Sequence, residues 1–148
     1  MLLENPLAGP TARMLIEQHV LARISTFRQV HKDDTEAGGI LLGFRRGEHL
    51  HIVDSTTPMT GDLRTKYSFD RRDPGHQVAA TNAWKASNGC IDYLGEWHTH
   101  PESHPKPSSL DLREWRNLCR PKSDPLMFLI LGIQGCWLGL GDAKRVVQ

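Results

Sequence analysis

The sequence predicts an α+β fold in which helices pack on one β-sheet. Three observations predict it. Short apolar runs have the length of strands, and longer segments have either apolar residues on one helical face or residues typical of helix caps. Breaks that contain Gly or Pro separate these segments. Their order is helix, β-hairpin, strand, helix, strand, helix, strand, strand, which is typical of helices packed on a sheet. Because 148 residues is close to the common length of one domain, we expect a single domain over residues 1–148, with residues 1–12 as a loosely held lead-in.

The N-terminal half is predicted to contain a short strand, a helix and a hairpin. The helix carries apolar residues at helical spacing on one face, namely Val20, Leu21, Ile24 and Phe27. The hairpin is expected to turn at Gly47. The predicted elements are a strand over Met14–Ile16, a helix from Glu17 to about Gln29, a buried strand over Gly39–Phe44 and its hairpin partner over Leu50–Asp54.

The C-terminal half is predicted to alternate strands with capped helices. Asp73 and Pro74 are typical of an N-cap and a first helical residue, and Asn88 with Gly89 is typical of a helix end. The remaining predicted elements are a strand over Lys66–Asp70, strands over Ile91–His98, Leu126–Ile133 and Cys136–Leu140, and a third helix that begins at Ser108 or Ser109 and ends at about Cys119.

Composition and charge exclude several classes of function. The formal net charge is +1 with 24% charged residues, which gives no electrostatic case for binding nucleic acid or a membrane. No apolar run approaches 18 residues and no signal peptide is recognisable, so neither a membrane span nor secretion is expected. The three cysteines, Cys90, Cys119 and Cys136, are widely spaced and form no C-x-x-C pair. Reduced thiols in a cytoplasmic protein are therefore expected.

Two histidines, a proline and an aspartate form the most informative pattern. His98 and His100 are two apart at the end of a predicted strand, so both side chains are expected on one face, with Thr99 pointing away. Pro101 would end the strand, and the loop after it would return Asp111 from the first turn of the next helix. Two nitrogen ligands and one carboxylate suit one zinc ion and leave a fourth position for water.

A proton carrier and an oxyanion donor would complete a hydrolytic site. A zinc ion lowers the pKa of a bound water to roughly 7 and polarises a carbonyl group. Glu36 is the candidate acid/base, because it precedes a glycine-containing strand that another backbone could approach closely. Ser108 could donate a hydrogen bond to the oxyanion of the tetrahedral intermediate.

Each part of this pattern has an ordinary alternative. A second H-x-H pair, His49 and His51, has the same spacing but no following proline and no Ser-x-x-Asp. Taken alone, Ser108 and Asp111 favour a helix capping box, and Glu36 alone would be a solvated loop acid. Only the combination of His98, His100, Ser108 and Asp111 with Glu36 favours a metal-dependent hydrolase.

The joint pattern resembles the JAB/MPN+ (JAMM) metalloprotease family, whose members have an upstream Glu, then H-x-H-P, six residues and S-x-x-D. This chain has all of these at the family's spacing, and the similarity covers nearly the whole chain. The resemblance implies a curved, mixed β-sheet flanked by helices, a cytidine deaminase-like fold. It also implies cleavage of an amide or isopeptide bond after the C-terminal residue of a ubiquitin-like modifier. Carried over by position, it implies one catalytic zinc ion held by His98, His100 and Asp111, with Glu36 as acid/base and Ser108 supporting the oxyanion.

The short chain and the sequences of residues 64–77, 93–103 and 107–115 resemble those of the compact bacterial JAB proteins. Such proteins occur beside ubiquitin-like conjugation enzymes, notably in CBASS anti-phage operons, where the family member removes a cGAS/DncV-like nucleotidyltransferase from its conjugates. The resemblance therefore implies a ubiquitin-like protein, or the C-terminal tail of such a nucleotidyltransferase, as the substrate. Two alternatives stay open: processing of a sulfur-carrier protein to expose its diglycine tail, and a non-catalytic scaffold of the same fold.

Overall fold

The computed structural model describes residues 1–9 and 11–148; Pro10, which belongs to the predicted lead-in, lies outside the described residues. Within these residues the chain forms ten strands and three helices. The strands are β1 (Leu2–Glu4), β2 (Arg13–Ile16), β3 (Gly38–Arg46), β4 (His49–Ser55), β5 (Leu63–Thr65), β6 (Ser68–Asp70), β7 (Asp92–Thr99), β8 (Leu126–Leu131), β9 (Cys136–Gly141) and β10 (Val146–Val147). The helices are α1 (Gln18–Ser25), α2 (Gly75–Ala86) and α3 (Ser109–Cys119).

Eight of the strands form one mixed sheet, in the order β1-β2-β4-β3-β7-β8-β9-β10, and β5 and β6 form a separate hairpin. In the large sheet, β2 pairs with β4 and β7 pairs with β8 in parallel, whereas the other neighbours are antiparallel. The register of β3 shifts against both β4 and β7, and such bulges bend a sheet. This curved, mixed sheet with helices confirms the predicted fold class.

Both faces of the sheet are covered, as the alternation along β8 shows. Its side chains Met127, Leu129 and Leu131 pack in the same core as α1, whereas Leu126, Phe128 and Ile130 pack with Trp115 and Cys119 of α3. Every residue of β8 is buried, as expected for a central strand packed on both sides. Because His98 lies beside Ile130 in the register of β7 with β8, its side chain lies on the α3 face.

Both ends of the chain hold strands that the sequence pattern did not reveal. β1 pairs with β2 and β10 pairs with β9. The N-terminal amine of Met1 also donates to the Ile16 carbonyl at 2.7 Å, so residues 1–4 are held against the sheet and are not the loose lead-in expected there. β1, β5 and β10 have only two or three residues each, which is too short to show an alternation of apolar and polar positions.

Helix α1 ends at Ser25, whereas the sequence predicted that it would continue to about Gln29. After it, the backbone N–H groups of Phe27 and Arg28 donate to carbonyls three residues back, at 3.1 and 3.3 Å. The chain therefore continues in tight turns, which keep Phe27 against the core without an α-helical ladder. None of the helices in residues 1–9 and 11–148 is long and apolar enough to cross a membrane.

Candidate active site

Strand β7 presents two histidines on the face of the sheet that α3 covers. His98 lies in the strand and His100 follows its last residue. Their Nε2 atoms are 3.0 Å apart. Thr99, which lies between them, is fully buried on the opposite face. The two imidazoles therefore share one face, as the period-two spacing predicts.

Helix α3 brings Asp111 to the same place. The Asp111 backbone N–H donates to Ser108 Oγ at 3.1 Å, and the Ser108 backbone N–H and hydroxyl donate to Asp111 Oδ2 at 2.6 and 2.7 Å. Asp111 Oδ1 lies 3.3 Å from His98 Nε2, and Asp111 Oδ2 lies 3.4 Å from His100 Nε2. Asp111 thus takes part in the capping box and contacts both histidines, because the cap orients its carboxylate towards the two rings.

His98, His100 and Asp111, here called the ligand cluster, have a geometry that fits a metal ion. Atoms about 2.0–2.1 Å from a tetrahedral zinc ion lie roughly 3.3 Å from one another. The separations in the ligand cluster are 3.0–3.4 Å. Lone pairs held this close repel one another unless protons or a cation lie among them. Within the described part of the chain, this is the one group of three His, Cys, Asp or Glu residues disposed to hold an ion.

Glu36 reaches the ligand cluster through an extension of the β3–β7 pairing. Its neighbour Ala37 accepts a hydrogen bond from Thr99 N at 2.8 Å, and Ala37 N donates to Thr99 Oγ1 at 2.9 Å. Glu36 N donates to the Thr65 carbonyl of β5 at 2.7 Å. These bonds place Glu36 Oε1 4.0 Å from His100 Nε2, with the residue only 5% exposed. Glu36 is therefore not a solvated loop acid.

The two carboxyl groups of the site have pKa values pushed in opposite directions. Burial raises the pKa of Glu36 to about 7; the charge of His100 opposes this rise, whereas Asp111 and Glu102 add to it. Burial also disfavours the ionised form of Asp111, but hydrogen bonds from His100, His98 and Ser108 outweigh it and hold the Asp111 pKa far below its usual range. One carboxylate that stays ionised beside one that can exchange a proton near neutral pH is a common arrangement in acid/base catalysis.

The ligand cluster lies in a cleft of about 1020 Å³. The turn and second strand of the β5–β6 hairpin, residues 66–70, form one side of the cleft, and α3 forms another. Pro101 and Glu102, from the loop that follows β7, also line the cleft. The ligand cluster therefore lies in a cleft that is open to solvent.

The sequence assigned no role to Glu96, yet the structure places it in the cleft beside Arg71. The Arg71 guanidinium donates to Glu96 Oε1, and the Tyr93 hydroxyl donates to the same oxygen at 3.3 Å. Glu96 carried one usable signal, because it shares the strand face of His98 at a spacing of two. Arg71 carried none, because it belongs to a segment without periodicity.

The competing H-x-H pair lies outside the site. His51 Nε2 pairs with Glu17 Oε1 at 2.7 Å, and His49 Nδ1 accepts from Arg13 N at 3.1 Å. Neither histidine lies in the ligand cluster. Trp115 of α3 lines the cleft with its ring centroid 5.8 Å from that of His98, so this tryptophan forms part of the wall of the site.

The sequence of this chain is similar to a known protein family and to several of its members. The profile of the prokaryotic homologs of the JAB domain matches residues 17–140. A CD-NTase/cGAS isopeptidase from Vibrio cholerae serotype O1 is 42% identical over 134 residues, which cover 90% of this chain and 85% of that protein. A CD-NTase/cGAS isopeptidase from Pseudomonas aeruginosa is 43% identical over 122 residues, which cover 79% of this chain and 77% of that protein.

A solved structure has the same fold. The solution structure of a protein from Desulfitobacterium hafniense matches with a TM-score of 0.64 and covers 90% of this chain and 88% of that one. Because the two sequences are only 21% identical, this likeness bears on the fold alone.

Proposed function

Because this chain belongs to the family of prokaryotic homologs of the JAB domain, we propose that it is a zinc-dependent deconjugating isopeptidase. Its substrate would be a target protein joined through an amide bond to the C-terminal residue of a cGAS-like nucleotidyltransferase or of a ubiquitin-like modifier. The relatives named CD-NTase/cGAS isopeptidase support this substrate class. The observation that carries the proposal is the meeting of the ligand cluster and the buried Glu36 in one open cleft.

The ligand cluster supplies the donors for the metal ion. His98, His100 and Asp111 would hold zinc through two imidazole nitrogens and one carboxylate, a set that leaves one position open. When bound, zinc supplies positive charge that polarises the scissile carbonyl and lowers the pKa of a water to roughly 7.

Glu36 is the proton carrier in this proposal. It takes a proton from the attacking water as the water oxygen bonds to the scissile carbonyl carbon. It gives that proton to the amine nitrogen as the C–N bond breaks, so the target leaves with a neutral amine and the modifier keeps a carboxyl group. Burial suits Glu36 to this exchange, since it raises the pKa of the carboxyl to about 7.

Ser108 is the candidate donor to the oxyanion. Its hydroxyl proton is directed to Asp111 Oδ2 at 2.7 Å, so this role requires the hydroxyl to turn towards the substrate carbonyl. The backbone N–H of Ser108 also donates to Asp111 Oδ2, at 2.6 Å. The carboxylate therefore keeps one hydrogen bond from Ser108 when the hydroxyl turns.

The proposal extends to location and chain organisation. We assign the reaction to the cytoplasm, where the three free thiols, Cys90, Cys119 and Cys136, would stay reduced. We also propose that residues 1–148 act as one catalytic domain without nucleic acid or membrane as a partner.

The test is cleavage of a panel of defined conjugates by the zinc-loaded protein, followed by intact-mass measurement. The panel contains amide conjugates of a CBASS nucleotidyltransferase, of a ubiquitin-like modifier and of a sulfur-carrier protein. We expect cleavage after the C-terminal residue of one of the first two, lost on chelation and restored by zinc. Cleavage of the sulfur-carrier conjugate alone would favour the processing alternative. An uncut panel, under conditions in which the Vibrio cholerae relative cuts its own conjugate, would contradict the proposal.

A further inference from the structure

Arg71 lines the same cleft as the ligand cluster. It follows β6 and pairs with Glu96, which lies two residues before His98 on the same face of β7. Two residues of extended strand span roughly 6.6 Å. Glu96, which holds the guanidinium, therefore lies two strand positions from His98, a spacing that an extended substrate running along β7 would cover in about two residues.

The guanidinium of Arg71 has donors to spare. An arginine carries five N–H donors, and within the described residues the one hydrogen bond from Arg71's guanidinium goes to Glu96. The Arg71 Nε–H is buried with no hydrogen-bond partner among the described residues. A buried donor without a partner is rare in folded proteins, so the acceptors in the described part of this protein do not saturate the guanidinium. Because the Arg71 side chain is 31% exposed, part of it is open to the cleft.

The surrounding structure holds Arg71 in place. The backbone N–H groups of Arg72 and Asp73, which follow it, both donate to Asp62 Oδ1 at 2.9 Å. Asp62 Oδ2 in turn lies 2.8 Å from His76 Nε2, and both of those side chains are fully buried. A guanidinium held by Glu96 on one side and by a fixed backbone on the other loses little conformational entropy on binding.

We propose that Arg71 is a specificity-determining residue that binds an oxygen of the substrate about two residues from the scissile bond. The acceptor is a main-chain carbonyl or the carboxylate of an acidic side chain, since a planar guanidinium recognises either. Glu96 acts as a positioning residue that orients the guanidinium. This inference rests on the proposed isopeptidase function and assigns part of its substrate recognition.

The test compares Arg71→Ala and Arg71→Lys with the matched control Arg72→Ala. Arg72 is the neighbouring arginine, and its side chain is 59% exposed and pairs with Asp70 outside the ligand cluster. Each variant is checked for zinc content and melting temperature, and kcat and KM are measured on a cleaved conjugate. We expect Arg71→Ala to raise KM about 10- to 100-fold, the range for a hydrogen bond to a charged group. Zinc content should not change, and Arg72→Ala should match the wild type.

Arg71→Lys carries the test if Arg71→Ala does not fold. Lysine keeps the charge opposite Glu96 but lacks the planar fork, so we expect a smaller rise in KM with normal stability. A KM unchanged in Arg71→Lys and in any folded Arg71→Ala would overturn the inference.

Conjugates altered in the tail separate the two acceptors. If alanine in place of an acidic residue near the scissile bond raises the wild-type KM and removes the Arg71 effect, the acceptor is a side-chain carboxylate. If the effect persists on an all-alanine tail, the acceptor is a main-chain carbonyl. An effect that persists on a tail cut back to the scissile residue would overturn both readings. A wild-type protein that cuts no conjugate would overturn the proposed function and this inference together, whereas normal cleavage without an Arg71 effect would overturn the inference alone.

Discussion

Thr99 and Ala37 exchange two hydrogen bonds, and this contact sets Glu36 beside His100. Thr99 N donates to the Ala37 carbonyl at 2.8 Å, and Ala37 N donates to Thr99 Oγ1 at 2.9 Å. The Thr99 hydroxyl also donates to Gln29 Oε1 at 3.0 Å. The residue between the two histidines, which points away from the site, thus fixes the segment that carries the candidate proton carrier.

Replacing Thr99 tests this contact. Thr99→Val keeps the shape but leaves Ala37 N and the Gln29 side chain without their buried partner, at a cost of about 1–3 kcal/mol in the free energy of unfolding. We also expect kcat to fall while zinc content stays normal, because Glu36 loses its support. Thr99→Ser keeps the hydroxyl and serves as the control. Denaturant unfolding measures the free energy of unfolding, and steady-state kinetics measures kcat. If Thr99→Val is as stable and as active as Thr99→Ser, Thr99 does not support the segment that carries Glu36.

Ser108 serves both as the cap of α3 and as the candidate oxyanion donor. Ser108→Ala should lower stability by about 0.5–2 kcal/mol, as for loss of an N-cap. If its hydroxyl also supports the oxyanion, kcat should fall by about 10²- to 10³-fold. Ser109→Ala, at the exposed first residue of α3, is the matched control for both measurements. A stability loss without a fall in kcat would leave Ser108 as a cap only.

Substitution in the ligand cluster should remove the metal. His98→Ala or Asp111→Ala takes away one of three donors, so zinc measured by elemental analysis after dialysis should drop well below one ion per chain. His51→Ala, in the competing pair, should keep its zinc because His51 contacts Glu17 outside the cluster. Equal zinc content in all three variants would place the metal elsewhere.

The buried contact of Asp62 with His76 gives a pH-dependent contribution to stability. Burial alone would raise the Asp62 pKa, but hydrogen bonds from Asp73, His76, Met59 and Arg72 outweigh it and lower that pKa. A carboxyl with a lowered pKa stabilises the fold fully above its unfolded value, about 3.9, and this contribution is lost as pH falls through the folded pKa.

The Asp62→Asn variant tests this linkage. It should be less stable than the wild type near pH 7 by about 1–3 kcal/mol. The gap should begin to narrow as pH drops below about 3.9, where the unfolded carboxyl takes up its proton, and should close as pH falls through the lower folded pKa. Unfolding curves over that pH range measure the gap, and a gap independent of pH would show that the Asp62 charge contributes nothing.

Local spacing explains why part of the site could be predicted from the sequence. His98 and His100 are fixed by the period of one strand, and Asp111 by the cap of one helix, so short-range rules suffice. Glu36 was selected because another backbone could approach its glycine-containing strand closely, and in the structure that backbone is β7, with Gly38 opposite His98.

The rest depended on contacts that no local pattern encodes. Arg71 reaches Glu96 because Asp62 and His76 fold an aperiodic segment back on itself. The edge strands β1 and β10 exist only by pairing with β2 and β9, and their short sequences carry no signal of their own. Helix α1 ends early because tight turns take over at Phe27, although apolar spacing continues to that residue.

Cleavage of a nucleotidyltransferase or modifier conjugate by wild type and by Glu36→Gln, compared at equal zinc content, tests the central claim most directly. Glutamine keeps the size of Glu36 and cannot carry the proton, and it lies outside the ligand cluster. We predict that the variant retains its zinc, binds the conjugate and cleaves it about 10²- to 10⁴-fold more slowly, the usual contribution of a general acid/base. Equal cleavage rates for the two proteins would contradict the account.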